Sequence, residues 1–420
     1  MRRVQLLGPL ADRSFRLVWL AATTSAIGSA FVPVALAFAV LGIGGNATSL
    51  GLVLLVGTVA GLASYQVAGV WADRLSRRNL MLAADLVRLV TEAGVAALLL
   101  TRHARIWELA VASVVMSIAT AVEGPASTGL VAEVVPADRL QKANSLLSVS
   151  TSASSVVGPA LSGLMVAAVG PGWAFVADAV SFAGSASFLL QMPSLGRARA
   201  GRRRFFAELA EGWREVASRS WAWSTLIGNA LSNMAFAVFF VLGPLLAVQR
   251  LGGASGWGLV SSGFAVGSLL GGLVAYWVKA RRPIAFGMAV SMLLALPAFV
   301  LAARLPLAVI VIAAVAATTG GIVLNNNWDT AIQQLIPNEL LARFRSYDYL
   351  LAFVAMPVGY AVAGPLSSAF GADRVLLAAG GVMLVANLVP AVLPSVRAVI
   401  RHQDGTITGP PPRPRSVIST

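Results

Sequence analysis

The chain reads as long apolar runs separated by short polar breaks. Twelve runs are long enough to cross a bilayer. They lie near residues 15–41, 48–72, 79–101, 106–133, 142–168, 172–192, 221–247, 255–278, 283–303, 306–331, 346–369 and 373–393. The hydrocarbon core of a membrane takes about 20 residues of helix. Backbone polar groups in lipid must be satisfied within their own segment, which favours helices, and these runs exceed the length of a barrel strand. The pattern predicts an all-α integral membrane protein with twelve transmembrane helices.

The breaks are unequal. The longest, about 193–220, divides the spans six and six. It begins as a basic linker. From Phe205 to Val216 it carries Phe206, Leu209, Ala210, Trp213 and Val216 at helical spacing, with Glu208, Glu211 and Glu215 between them. That spacing predicts an amphipathic helix on the inner membrane surface. The two halves also repeat. With an offset of 201, Pro136 meets Pro337, Ser145 meets Ser346, Gly158 meets Gly359 and Gly163 meets Gly364. Parallel repeats are a recurring transporter plan. The expected organisation is an N-terminal six-helix bundle (1–192), a cytoplasmic linker (193–220), a C-terminal six-helix bundle (221–395) and a disordered tail (396–420). The tail is polar and carries PPPRPR at 410–415.

Composition supports lipid as the solvent. Hydrophobic residues make up 57% of the 420 and charged residues 11%, with a mean hydropathy of +0.80. A soluble domain carries roughly 25% charged residues. Threading the topology through twelve spans puts 25 of the 31 Lys and Arg on the side of the N-terminus and five on the other, with Arg88 inside a span. The positive-inside rule then places both termini in the cytoplasm of a multi-pass cell-membrane protein. It also accounts for the net charge of +14 without a nucleic-acid partner. Cysteine is absent, and His103 and His402 lie outside the spans. Disulfides, thiolate metal sites and histidine triads therefore drop out, and neither a metal nor a resident cofactor is expected. No cleavable signal peptide is expected, because Asp12, Arg13 and Arg16 precede a first run too long for a signal core.

The break after the second span reads GVWADRLSRRNLM. Gly69, Asp73, Arg74, Arg77 and Arg78 follow the pattern G-x-x-x-D-R-x-x-R-R. An anion at Asp73 can face the positive N-terminal end of another helix. The arginines can reach Glu133 and the inner lipid phosphates. The fourth span closes with Glu133, Pro136 and Arg139, and the fifth carries VVGPALSGL with Gly158, Pro159 and Gly163. With the opening ADRSFRLVW, the ADLVR of span three and the LLAVQRLGG exit of span seven, these stretches resemble the major facilitator superfamily. Within it they resemble the branch of bacterial siderophore exporters and macrolide efflux pumps.

That resemblance implies a fold of two pseudo-symmetric six-helix bundles whose spans one, four, seven and ten line a cavity. It implies a cytoplasmic latch of Gly69, Asp73, Arg74, Arg77, Arg78, Glu133 and Arg139, with the partner of Asp73 at span eleven. It also implies an exporter-type glycine–proline motif at Gly158, Pro159 and Gly163. Two places depart from the family pattern. Thr120 stands where drug–proton exporters often carry an arginine, with Glu123 before Gly124. In the second half, the loop GLVAYWVKARRP has lost the aspartate: with Gly272 set against Gly69, Tyr276 stands in its place.

Acids within spans are costly and so are functional candidates. Glu123, deep in span four, and Asp329, near the inner end of span ten, are the candidate proton-coupling or substrate-binding residues. Asp85 and Arg88, three apart on span three, are read as a structural pair. Asp178 is likewise read as structural, and Glu92 sits on a helix that the family places outside the cavity. Thr23, Thr24, Asn229, Asn233, Asn325, Asn326 and Trp328 are candidate cavity-lining residues, their alternative being helix–helix packing and hydrogen bonding. For Phe31, Phe236, Phe239 and Phe240 ordinary packing is the simpler reading.

The expected function is secondary export of a hydrophobic or amphipathic small molecule, such as a drug, macrolide or siderophore. Alternating access would be driven by the proton gradient, with the protein acting as a monomer. No phosphate-binding loop for ATP is present. The alternatives are uptake of a nutrient, a non-transporting sensor or channel, and an intramembrane enzyme. Against the enzyme stand the near absence of histidine, the missing cysteine and the absence of a carboxylate cluster in the sequence.

Overall fold

The computed structural model describes residues 8–74, 76–193 and 217–411; the side chains of 65–74, 338, 339, 342, 343 and 346 fall outside that description. Each of the twelve apolar runs is helical. α1 comprises Arg13–Ser29 and Val32–Gly42. Then come α2 (Ala47–Arg74), α3 (Arg77–Leu100), α4 (Ile106–Val134), α5 (Leu140–Val169) and α6 (Pro171–Leu190). α7 (Ser220–Arg250) and α8 (Ala254–Trp277) follow. α9 is two pieces, Pro283–Ser291 and Leu296–Ala302, joined by a 3-10 turn. α10 is Leu307–Leu335, α11 comprises Asn338–Phe353 and Met356–Phe370, and α12 is Ala372–Val392. Among the described residues, 11 spans are long and apolar enough to cross a membrane. The remaining helix, α3, carries Asp85, Arg88 and Glu92 along its middle. The amphipathic helix expected over 205–216 lies outside the described residues.

The chain divides into two units. One holds α1–α6 together with Gly243–Ser262, which is the end of α7 and the start of α8; the other holds the remainder of α7 and α8 with α9–α12 and the C-terminal residues. The expected boundary at 193–220 is therefore not the whole division, because 243–262 groups with α1–α6. Its reason is close backbone packing of α8 on α5, described below.

In the first unit, Asp12 caps α1, its Oδ1 accepting from the backbone N–H groups of Ser14 (2.8 Å) and Phe15 (3.1 Å). Phe15, Val18 and Ala21 then bury against Met81 of α3, Ala126 and Leu130 of α4 and Leu189 of α6. Apolar area gains little by leaving lipid, so association rests on close packing and small residues. Gly28 illustrates this: a Cβ there would lie 2.6 Å from Asp178 Oδ1 of α6. α1 breaks at Ala30–Phe31, and the Phe31 carbonyl accepts from Ser162 Oγ of α5 at 2.7 Å.

The second unit has its own core of Trp221, Leu226, Met288, Ile332 and Phe344. The repeat is realised in geometry. Pro136 (φ −57°, ψ 147°) and Pro337 (φ −54°, ψ 141°) both stand at the extended turn after the fourth helix of their half. Gly170 (φ +92°) and Gly371 (φ +85°), also 201 apart, make the same left-handed turn between the fifth and sixth helices. A Cβ on Gly158 would run into Ala30 of α1, and one on Gly359 into Met234 and Ala237 of α7. In each half the fifth helix thus seats a glycine on the first.

The tail is not disordered from 396, as its polarity suggested. A short helix α13 (Pro394–Arg397) leads into a hairpin of β1 (Ile400–Arg401) and β2 (Ile407–Thr408). Val396, Val399 and Ile407 complete the second unit's core, which polarity averaged over the segment concealed. The Arg401 N–H donates to the Arg281 carbonyl at 2.8 Å, and the Ile407 N–H to Gln334 Oε1 at 2.7 Å. Asp404 closes the turn by accepting from Thr406 Oγ1 (2.7 Å) and the Thr406 N–H (3.0 Å). Those bonds hold its carboxyl below the ordinary value. The ionised form is therefore the one that fastens the turn. Its contribution is complete above pH of about 4 and is lost as pH falls through the depressed folded value. Hydrogen-exchange protection of the Ile407 amide is expected to drop in Asp404→Ala at neutral pH, and in the parent chain only in acid. Unchanged protection in the variant at neutral pH removes Asp404 from this role.

Candidate functional site

Four carboxylates and one guanidinium gather inside the first unit. Asp85, Arg88 and Glu92 are spaced by three and four residues and so share one face of α3. α4 contributes Glu123 and α6 contributes Asp178. Arg88 Nη1 lies 2.5 Å from Glu123 Oε2 and 3.9 Å from Asp85 Oδ1. Its guanidinium stands 5.2 Å from the centre of the Phe182 ring. Asp85 Oδ2 accepts from Ser185 Oγ at 2.6 Å. Asp178 Oδ1 accepts from Ser181 Oγ at 3.1 Å and from Ser29 Oγ of α1 at 3.4 Å.

Burial divides the group. Arg88 is 3% exposed, Asp85 and Glu92 1% each and Asp178 0%, whereas the Glu123 side chain keeps 23%. Nε and Nη2 of Arg88, Oε2 of Glu92 and Oδ2 of Asp178 are buried without hydrogen-bond partners. The expected Asp85–Arg88 pair is therefore the weaker contact. Ser185 holds Asp85, and the arginine reaches across to Glu123. Glu92 and Asp178 were not among the expected site residues, yet both belong to this group. The helix of Glu92 was expected outside the cavity and Asp178 was expected to be structural, although the shared face of 85, 88 and 92 was already a sign of a buried polar seam. Among the described residues, no group of three His, Cys, Asp or Glu is arranged to hold a metal ion.

Part of the expected latch assembles at the α2–α3 turn. Arg77 Nη1 lies 2.9 Å from Glu133 Oε1 and donates to the Gly129 carbonyl at 2.8 Å. Gly129 has no Cβ, and the guanidinium carbon lies 2.5 Å from where one would stand. Arg78 donates from Nε to the Leu189 carbonyl (2.7 Å) and from Nη2 to that of Leu190 (3.0 Å), satisfying the end of α6. Arg139 does not join Glu133. Pro136 turns the chain out of α4, and Arg139 then sits half exposed, 3.8 Å from Asp138. Gly69, Asp73 and Arg74 fall in the last turns of α2, and their side chains lie outside the described residues.

In the second unit, Asp329 pairs with Arg345, which also stands 3.8 Å from Asp348. Trp328 is a core residue rather than an open cavity wall. Its Nε1 donates to Asp348 Oδ1 at 3.0 Å, and its ring meets those of Trp221 (5.6 Å) and Phe344 (6.4 Å). Asn325 and Asn326 are exposed, and Asn326 Nδ2 donates to the Ile322 carbonyl at 2.9 Å. Asn233 Nδ2 donates to the Ala352 carbonyl of α11 at 2.8 Å, while Asn229 on the same face is half-buried. Phe236, Phe239 and Phe240 stack among themselves and on Phe264. In α1, Thr23 Oγ1 is buried without a partner, and the Thr24 methyl faces Gly184.

The α5 stretch is fitted closely on both sides. Besides Gly158 against Ala30, a Cβ on Gly163 would stand 2.5 Å from the Ala254 carbonyl oxygen and 3.1 Å from Gly258 Cα. A Cβ on Gly258 would stand 2.5 Å from the Pro159 carbonyl oxygen. Backbone meets backbone there.

Among the described residues, twelve helices in two repeated halves, with a buried ion-paired seam, define a multi-pass membrane protein. The chain belongs to the Major Facilitator Superfamily, whose family model matches residues 18–359. It is similar to the multidrug efflux pump Tap of Mycolicibacterium fortuitum, 27% identical over 406 residues that take in 91% of this chain and 96% of that one. It is also similar to macrolide efflux protein A of Streptococcus pyogenes, 23% identical over 394 residues, with 91% and 96% covered. A solved structure of the nucleoside transporter NupG superposes with a TM-score of 0.74 at 12% identity, covering 90% of this chain and 99% of that one. At that identity the likeness speaks to the fold alone.

Proposed function

We propose that this transporter exports a hydrophobic or amphipathic small molecule across the cell membrane by alternating access. The proton gradient drives it, and both termini face the cytoplasm. The observation that carries the reading is the seating of α5, through Gly158 on α1 and through Gly163 on α8. These are the glycines of the exporter-type motif. The efflux relatives, matched over nearly their full length, support the same direction. Arg77 with Glu133 supplies the described part of the latch, and Asp73 is proposed to complete it at the N-terminal end of a partner helix. Glu123, partly exposed and tethered to Arg88, is the residue proposed to meet the substrate.

Purified protein in liposomes with an imposed pH gradient tests this directly. Gradient-dependent movement of erythromycin or ethidium is expected, and Glu123→Gln is expected to reduce it at least tenfold with normal insertion. Failure of every compound in a broad panel to move, with or without the gradient, sinks the exporter reading. Wild-type rates in the variant remove Glu123 from the mechanism.

A further inference from the structure

We propose that Glu92 of α3 and Asp178 of α6 hold the exchangeable proton of this transporter, and that Arg88 couples them to Glu123. The inference rests on the proton-driven reading above and assigns its proton to one acid on a helix expected outside the cavity and to another expected to be structural.

The charges do not balance if every acid is ionised. Arg88 is the one cation in the buried middle of α3, against Asp85, Glu92, Glu123 and Asp178, since Arg77 at the start of the helix pairs with Glu133. They form one electrostatic group: Glu92 interacts with Asp178 and Arg88, Asp178 with Arg88 and Asp85, and Asp85 with Glu123 and Arg88. Among the described residues, the middles of the neighbouring helices bring no cation to offset the surplus, Arg13 and Arg16 standing at the start of α1. α1 offers Ser29 and Thr23, and α5 has no titratable residue beyond Lys142 at its start. A buried, unpaired carboxylate is costly enough that it takes up a proton instead.

The hydrogen bonds say which acids. Arg88 Nη1 serves Glu123, and Ser185 serves Asp85. What remains is Oε2 of Glu92 and Oδ2 of Asp178, both buried without partners. On the same guanidinium, Nε and Nη2 are buried and unpartnered too. Two unused donors thus sit on a side chain four residues from Glu92, in the same seam as two unused acceptors.

This arrangement performs an exchange. At rest, Arg88 is paired with the Glu123 carboxylate, and Glu92 or Asp178 carries the proton. A cationic group of an amphipathic substrate takes Glu123. Arg88 then turns Nε and Nη2 to Glu92 and Asp178, the carboxyl O–H there breaks, and the proton leaves to water. One positive charge enters and one leaves, and the seam keeps its net charge. The substrate class named by this exchange is an amphipathic organic cation.

The test reads the acids directly. Infrared difference spectra of the purified transporter, recorded across a pH titration, are expected to show the carbonyl stretch of a protonated carboxylic acid disappearing as the pH rises. Glu92→Gln and Asp178→Asn are each expected to lose part of that titrating band, and Glu92→Asp is expected to keep it. Adding ethidium at constant pH is expected to diminish the band in the parent chain and not in Glu123→Gln. A band that is absent from the parent chain, or that survives in both Glu92→Gln and Asp178→Asn, overturns the assignment. Survival of gradient-driven transport in those two variants overturns it as well, while leaving the exporter reading intact. Absence of transport in the parent chain, with the band behaving as described, strikes the exporter reading alone.

Discussion

Arg88→Met is expected to be among the most destabilising single changes in the first unit. The substitution keeps much of the side chain's length and its packing on Phe182, and removes only the charge and donors. Glu123 then loses its 2.5 Å partner, and Asp85, Glu92 and Asp178 lose the one cation of the seam. Removing one member of a buried ion pair costs about 3–5 kcal/mol, because the other charge is left uncompensated. Part of that is discounted here, since Glu123 keeps some exposure and can be solvated. The diagnostic comparison is the double variant Arg88→Met with Glu123→Gln. Removing both partners together costs far less than removing one, so the double variant is expected to recover most of the loss. Thermal unfolding of the three variants in detergent measures it. Additive effects, with the double variant the least stable, would show that Arg88 and Glu123 do not depend on each other.

The same pair shows what the sequence made legible and what it hid. Helix positions were open to view because lipid admits few alternatives for a long apolar run, and the structure places a helix at each of the twelve. The half-repeat was legible as matched prolines and glycines. It returns as matched turns at Pro136 and Pro337 and matched seats at Gly158 and Gly359. Arg77 with Glu133 was readable from local spacing and a closing acid one helix away. The seam was not. Asp85 and Arg88 look like partners along one helix because their three-residue spacing is visible in one dimension. Glu123, 35 positions further on, becomes the closer partner only once α3 and α4 pack. Asp178 is further off still. The hairpin after α13 was hidden for the opposite reason. The three docked apolar residues of α13 and the hairpin, Val396, Val399 and Ile407, are diluted among polar ones, and a window average reports the dilution rather than the docking.

Gly163→Leu is expected to abolish export while a nearby control leaves it intact. The argument is about which atoms must move. A Cβ at 163 would stand 2.5 Å from the Ala254 carbonyl oxygen and 3.1 Å from Gly258 Cα. Both are backbone atoms of the α8 start, so no rotamer change relieves the clash and the helices must part. The contact is reciprocal, with Gly258 set against the Pro159 carbonyl, so a shift along either helix meets the other's backbone. Overpacking of this kind costs about 1–3 kcal/mol, which a twelve-helix protein survives as an inserted, folded chain. The close seat of α5 on α8 is lost all the same. Gly94 in α3 supplies the contrast, because nothing lies within 4 Å of the Cβ it would carry. Gly94→Leu is expected to export normally. Accumulation of whichever compound the parent chain expels, measured in an efflux-deficient host at matched membrane abundance, separates the two. Equal export by Gly163→Leu and Gly94→Leu would mean that the glycine seat of α5 serves assembly only. The proposed direction of transport would then lose the observation that carries it.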